Sequence, residues 1–170
     1  MKRTFYFILV ILLFQSCELI FRCPDEALTI ERVDNNTHKL KLNGYYYGDI
    51  RGDNAQVYLL YQNGIFYQGW YRSLTDVEKG NVDFYPRDSS LLYKNRSYWG
   101  VYLIENNDIE IEYWVTRLCG GAVVAREQGT IINDTTFVIT YRSGSKENPN
   151  AVFMFHEFNQ KPDSIIKFIP

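Results

Sequence analysis

The sequence predicts an all-β protein: a single antiparallel up-and-down β-barrel of about eight to nine strands, with one long lid-like loop and a short helix. Three observations carry that expectation. Aromatic residues make up 16% of the chain, and Tyr, Phe and Trp favour pleated, half-buried surfaces. Apolar and polar residues alternate with a period of two through most of the chain, with hardly any helical spacing. Tight-turn dipeptides, above all Asn63-Gly64, separate the alternating runs, and Asn-Gly accepts the positive φ of a hairpin turn. Meandering hairpins close most simply into a barrel, which removes the exposed edges of an open sheet. A two-sheet sandwich is the competing arrangement.

At the N-terminus, Lys2 and Arg3 precede an uncharged run from Phe5 to Phe14, followed by Gln15-Ser16-Cys17. These are the charged region, apolar region and processing site of a signal peptide. The apolar run is about ten residues, short of the roughly 20 that span a bilayer. A small residue before a cysteine at this place resembles the lipobox of bacterial lipoproteins. The resemblance implies that residues 1–16 are removed, that Cys17 is acylated, and that residues 17–28 form a lipidated tether to a barrel domain of residues 29–170. An ordinary signal peptide cut nearby is the alternative.

With Cys17 acylated, Cys23 and Cys119 remain as an even pair in a compartment where disulfides persist. A bridge across 96 residues of sequence would stabilise the fold by about 4 to 5 kcal/mol in the simplest chain-entropy treatment. Two free thiols are the alternative. Removal of Lys2 and Arg3 changes 18 basic and 20 acidic residues to 16 and 20. Mild acidity without a basic cluster argues against nucleic acid as a partner. Membrane attachment is expected through the lipid, since several acyl chains on one cysteine anchor stably.

The strands come in order along the chain. In "HKLKLNGYYYG", Leu40, Leu42, Gly44 and Tyr46 alternate against Lys39, Lys41 and Asn43. "QVYLLYQNGIFYQGW" is two strands about Asn63-Gly64. A two-residue turn there would oppose Tyr61 to Phe66, Leu59 to Gln68 and Val57 to Trp70, on one face. "YWGVYLIENNDIEIEYWV" repeats the device, with Tyr102, Ile104, Ile109, Ile111 and Tyr113 on one face and Glu110 and Glu112 on the other. A third hairpin turns at Asn133-Asp134, and "NAVFMFHEF" adds a strand apolar on both faces, so its outside is expected to be covered. "SIIKFIP" reads as a last strand or a tail across the barrel. Residues 73–97 are too long for a simple turn. Thr75 and Glu78 suit a capping box and Gly80 a helix stop, predicting a short helix over one barrel mouth.

"LNGYY", "YQNG", "WGVYLIENNDIEIEYW" and "REQGTIINDTTFVIT" together resemble small lipoproteins of the Bacteroidetes type with a lipocalin-like barrel. The resemblance covers roughly residues 39–158 and implies a barrel in the cell envelope. Lipocalins carry Gly-x-Trp on the first strand, where this chain has Gly44-Tyr45-Tyr46; the motif's partner arginine has no assigned counterpart in the sequence, Arg142 being the candidate.

Chemistry is sparse. His38 and His156 have no metal-ligand spacing, and His156 reads as a packing histidine within an apolar strand. Cys119 before Gly120-Gly121 reads as a bridge or loop residue rather than a nucleophile. Glu110 and Glu112 read as a solvated strand face. No cofactor, metal site or catalytic set is expected, and the chain does not read as an enzyme.

Binding remains. Tyr46, Phe66, Trp70, Tyr102 and Tyr113 are core, pocket lining or both, because side chains that line a cavity also hold the barrel up. A turn at Asn133-Asp134 would set Phe137, Ile139 and Tyr141 beside Arg126, Gln128 and Thr130. That row suits an amphipathic ligand bearing a carboxylate or phosphate, unless Arg126 simply packs outside over Tyr141. The expected function is a lipid-anchored protein of the outer membrane or cell surface that binds a small hydrophobic or amphipathic ligand without catalysis. The alternative is a filled barrel that docks on an envelope protein through Tyr45, Tyr47, Trp99 and Trp114. Gly44 and Gly100 lean toward room inside. Asp134-Thr135-Thr136 and Asp163-Ser164-Ile165 resemble short glycosylation sites, the first serving equally as turn chemistry.

Overall fold

The computed structural model describes residues 24–35, 39–51, 54–71, 73–84, 96–97, 99–117, 121–145 and 150–169. Cys17, Cys23 and Cys119, with the acylation and bridge expected of them, and His38 lie outside the described residues. Eight strands succeed one another in chain order: β1 (Gly44–Arg51), β2 (Asn54–Leu60), β3 (Ile65–Tyr71), β4 (Trp99–Glu105), β5 (Asp108–Thr116), β6 (Ala122–Asn133), β7 (Thr136–Arg142) and β8 (Ala151–Glu157). Among the described residues one helix, α1 (Leu74–Glu78), lies between β3 and β4. β8 returns to β1, with Tyr45 opposite His156 and Tyr46 opposite Phe155, and closes the barrel.

The turns decide which side chains point inward. At β2–β3 the Gly64 N–H donates to the Tyr61 carbonyl at 3.0 Å and the Tyr61 N–H to the Ile65 carbonyl at 3.0 Å. Gly64 has φ 77°. This is a three-residue loop ending on a left-handed glycine, not the expected two-residue turn. It shifts the register by one: Leu60 opposes Phe66 and Tyr58 opposes Gln68, while Val57, Leu59 and Tyr61 face outward. The β4–β5 turn does have two residues, Asn106 and Asn107, and places Tyr102, Ile104, Ile109, Ile111 and Tyr113 together, as the alternation predicts.

The β6–β7 turn lies one residue later than expected, at Asp134-Thr135, and the ladder slips twice, between Ile131 and Asn133 and between Gln128 and Gly129. A β-bulge of this kind leaves one residue unpaired and reverses the facing of the residues beyond it. Phe137 and Ile139 point inward, Tyr141 turns out, and Arg142 opposes Glu127 inside. Arg126 and Gln128 are therefore on the outer face, not in the barrel.

The interior is filled by rings. Phe153 stacks on Tyr58 at 4.3 Å and on Phe137 at 5.1 Å, Tyr46 meets Phe137 at 5.0 Å, and Phe66 meets Tyr58 at 4.9 Å. Leu40, carried by the segment before β1, is buried against this core and closes the end of the barrel that carries the turns after β2, β4 and β6, the lower end. Gly44 and Gly100 do not mark space: a Cβ would stand 2.0 Å from the His156 carbonyl oxygen at Gly44 and 1.9 Å from that of Glu112 at Gly100. They serve close strand approach.

The outer wall is largely covered too, so both faces of β2 are buried from Ala55 to Leu60. Ser73 caps α1 by accepting from the Asp76 N–H at 3.1 Å, in place of the expected Thr75–Glu78 box. α1 packs Val77 against Tyr45, Ala55, Val57 and Leu59 on the outside, rather than lying over the mouth. The C-terminal segment is a tail, with Ile166 and Ile169 buried beside Ile65, Trp99, Val101 and Trp114. Tyr45, Trp99 and Trp114, expected as exposed docking aromatics, are thus buried. On β8 the covering is partial, because His156 stacks on Tyr45 while Val152 and Met154 remain exposed.

Candidate functional site

Odd and even strands run in opposite senses. One end of the barrel therefore carries the short turns after β2, β4 and β6, and the other carries the connections β1–β2, β3–β4, β5–β6 and β7–β8. We call the second end the mouth. Just inside it the apolar interior gives way to polar groups contributed by β2, β3, β5, β6 and β7: Gln56, Tyr58, Gln68, Tyr113, Glu127 and Arg142.

Glu127 organises the group. Its side chain is fully buried and accepts from Arg142 Nε at 2.7 Å, from the Tyr113 hydroxyl at 3.0 Å and from the Tyr58 hydroxyl. Arg142 extends further, donating to Gln56 Oε1 at 2.8 Å and to the Tyr58 oxygen at 3.2 Å. Burial, with the Glu127 charge second, holds the Tyr58 phenol well above its ordinary range, so it remains a donor. Burial alone would weaken the Arg142 charge, but the facing Tyr58 and Glu127 outweigh it. The pair is neutral as a unit. Gln56 and Gln68 are fully buried, yet Gln56 Nε2 and Gln68 Oε1 have no hydrogen-bond partner among the described residues.

Of the residues expected at a ligand site, Tyr46, Phe66, Tyr102, Tyr113 and Phe137 meet in the interior. The Trp70 backbone pairs with Gln56, and its side chain lies outside the described residues. Arg126, Gln128 and Tyr141 are absent from the interior, because the late turn and the register slips of β6–β7 put them on the outer face. Arg142 is at the mouth, the opposite end from Gly44, and so is not the partner of the Gly44-Tyr45-Tyr46 stretch. The polar group escaped sequence reading because its members come from five strands, and only Gln56 and Gln68, set in apolar runs, were visible as exceptions.

Two further polar contacts organise the outside. Glu112, expected as a solvated carboxylate, is buried and accepts from the Thr29 N–H at 2.5 Å, the Thr29 hydroxyl at 2.6 Å, the Ile30 N–H at 3.0 Å and Arg126 Nε at 2.7 Å. Burial raises its pKa, but these hydrogen bonds together hold it below the ordinary value. At the lower end Lys161 Nζ donates to the carbonyls of Leu42 at 2.7 Å and Leu60 at 2.8 Å, and lies 4.3 Å from the Tyr61 ring centroid. Burial lowers its pKa to about 8. A groove of about 520 Å³ opens between residues 27–32, Val101, Trp114 and the tail, with mainly apolar walls.

Fold and site together define a closed β-barrel with a packed lower interior and a polar mouth, compatible with a ligand-binding or interaction module. Comparison with protein-family models, with curated proteins and with solved structures returned no match.

Proposed function

We propose that this chain is a lipid-anchored protein of the bacterial cell envelope that holds the polar end of a small amphipathic molecule at the barrel mouth, without catalysis. The observation that carries the reading is the pair of buried glutamines with an unpartnered donor, Gln56 Nε2, and an unpartnered acceptor, Gln68 Oε1. Each such atom costs about 1–3 kcal/mol when left unsatisfied, so a ligand that supplies both partners is favoured there. Because Glu127 already neutralises Arg142, the fitting end group is uncharged and both accepts and donates, as a hydroxyl or amide does. A carboxylate or phosphate, the chemistry expected from Arg126, has no unneutralised cation to meet in this group.

The test is native mass spectrometry of residues 18–170 exported to a periplasm, against the same sample denatured. Extra mass that is lost on denaturation, and is missing from a Gln56→Leu, Gln68→Leu double variant, supports the reading. A bare wild-type chain refutes it. A second reading, a filled barrel that docks on another envelope protein, draws on the stacked rings of Tyr58, Phe137 and Phe153, and a bare chain favours it.

A further inference from the structure

The N-terminal segment is fastened to the barrel from its first described residues. The Glu26 N–H donates to the Ala122 carbonyl at 2.9 Å, the Ala122 N–H to Asp25 Oδ1 at 2.9 Å, the Val124 N–H to Glu26 Oε2 at 3.0 Å and Trp114 Nε1 to the Glu26 carbonyl at 2.9 Å. Ala122 opens β6, opposite Thr116 at the end of β5, so Asp25 and Glu26 sit at the mouth end. The chain then descends the outer wall. Thr29 and Ile30 are clasped by Glu112, and the Asn35 N–H donates to the Gln62 carbonyl at 2.7 Å at the lower end. Residues 25–28, read from sequence as tether, therefore belong to this strap.

Only residues 18–24 then separate Cys17 from Asp25, where the fastened chain begins. Fully extended, the eight residue steps from Cys17 to Asp25 reach about 26–29 Å. The twelve-residue strand β6, at whose first residue the strap is fastened, measures roughly 40 Å at the usual rise per residue and, tilted by the usual 35–45°, spans about 28–32 Å of wall, so the lower end can meet the bilayer only with the tether pulled taut along the whole wall. With any slack, the mouth end lies against the membrane.

We infer that the barrel mouth faces the lipid bilayer that holds the anchor, with Gln56, Gln68 and Arg142 just inside the end nearer its surface. The inference rests on the proposed acylation of Cys17, and it makes the membrane the source of the amphipathic ligand. The lower turns, with Asn107 and Thr135, point away.

The test uses the mature, acylated chain in nanodiscs containing a lipid whose headgroup chelates gadolinium, with amide broadening read by nuclear magnetic resonance. The expected result is several-fold stronger broadening at Ala55 and Ser143, near the mouth, than at Asn107 and Thr135. Asp25→Ala, Glu26→Ala, which removes the side-chain bonds to the Ala122 and Val124 N–H groups and lengthens the free tether, should shrink that difference. Equal or reversed broadening in the acylated wild type overturns the orientation alone. Mass measurement of the membrane-derived sample with a bare Cys17 overturns the anchor and the orientation together.

Discussion

Replacing Glu112 by Gln keeps the side chain's size but removes its charge. One carboxylate oxygen accepts from both the Thr29 hydroxyl and Arg126 Nε, and the other from the N–H groups of Thr29 and Ile30. The amide turns so that its NH₂ meets the Thr29 hydroxyl, which can accept from it, and Arg126 Nε, which can only donate, so one hydrogen bond is lost and the charge assistance of the other three is weakened. A hydrogen bond to a charged group contributes about 1.5–3 kcal/mol and a neutral one about 0.5–1.5 kcal/mol, so one loss and three weakenings sum to about 2–4 kcal/mol once the freed groups rehydrate. Urea denaturation should show this loss, and hydrogen exchange should show Thr29 and Ile30 amides losing protection before the strands do. The same group predicts an acid dependence. Its pKa is depressed in the folded state, so the unfolded chain binds more protons below the ordinary value of 4.5. Its contribution is full above that pH and is lost as pH falls through the folded value. Glu112→Gln should flatten that slope. A loss under about 0.5 kcal/mol, the size of an ordinary surface substitution, with unchanged Thr29 and Ile30 protection, would refute the clasp.

Arg142→Met strands the buried Glu127 carboxylate and should cost about 3–5 kcal/mol, much of it recovered in Arg142→Met, Glu127→Leu; urea denaturation of the three proteins checks it, and equal losses in both variants would contradict the pairing. Phe153→Ala should cost about 3–5 kcal/mol, because the ring is fully buried between Tyr58 and Phe137; a loss near 1 kcal/mol, the scale of a mild volume change, would mean the lower interior is not packed. Lys161 titrates near 8 in the fold, against 10.5 ordinarily. The unfolded chain therefore binds more protons between those values, and stability should rise with pH across that window, by at most about 3 kcal/mol. Thermal melts of the wild type should show the rise and Lys161→Met should lack it.

The barrel was legible because strand alternation and turn residues are local signals. The β4–β5 hairpin came through complete, since Asn106 and Asn107 suit a two-residue turn and Glu110 and Glu112 alternate against Ile109 and Ile111. At β2–β3 the same Asn-Gly signal served a three-residue loop. One residue of slip exchanged the inner and outer rows of an apolar strand that tolerates either. At β6–β7 a late turn and the register slips moved Arg126 and Gln128 outside and brought Glu127 and Arg142 in. Exposed aromatics were misread for a related reason: Tyr45, Trp99 and Trp114 do face outward, but α1, the strap and the tail cover them.

Local chemistry in the chain was therefore enough for the fold class, the aromatic core set of Tyr46, Phe66, Tyr102 and Tyr113, and the strand order. A period of two and a turn are properties of a few neighbouring residues. The polar mouth and the fastened strap were decided in three dimensions. Glu127 meets Tyr58, Tyr113 and Arg142 only after four strands, β2, β5, β6 and β7, are brought around one axis, and Glu112 becomes a buried anchor only when Thr29 and Ile30, more than 80 residues away in sequence, are laid against it. Such contacts depend on register and on long-range closure, which no short stretch of sequence encodes.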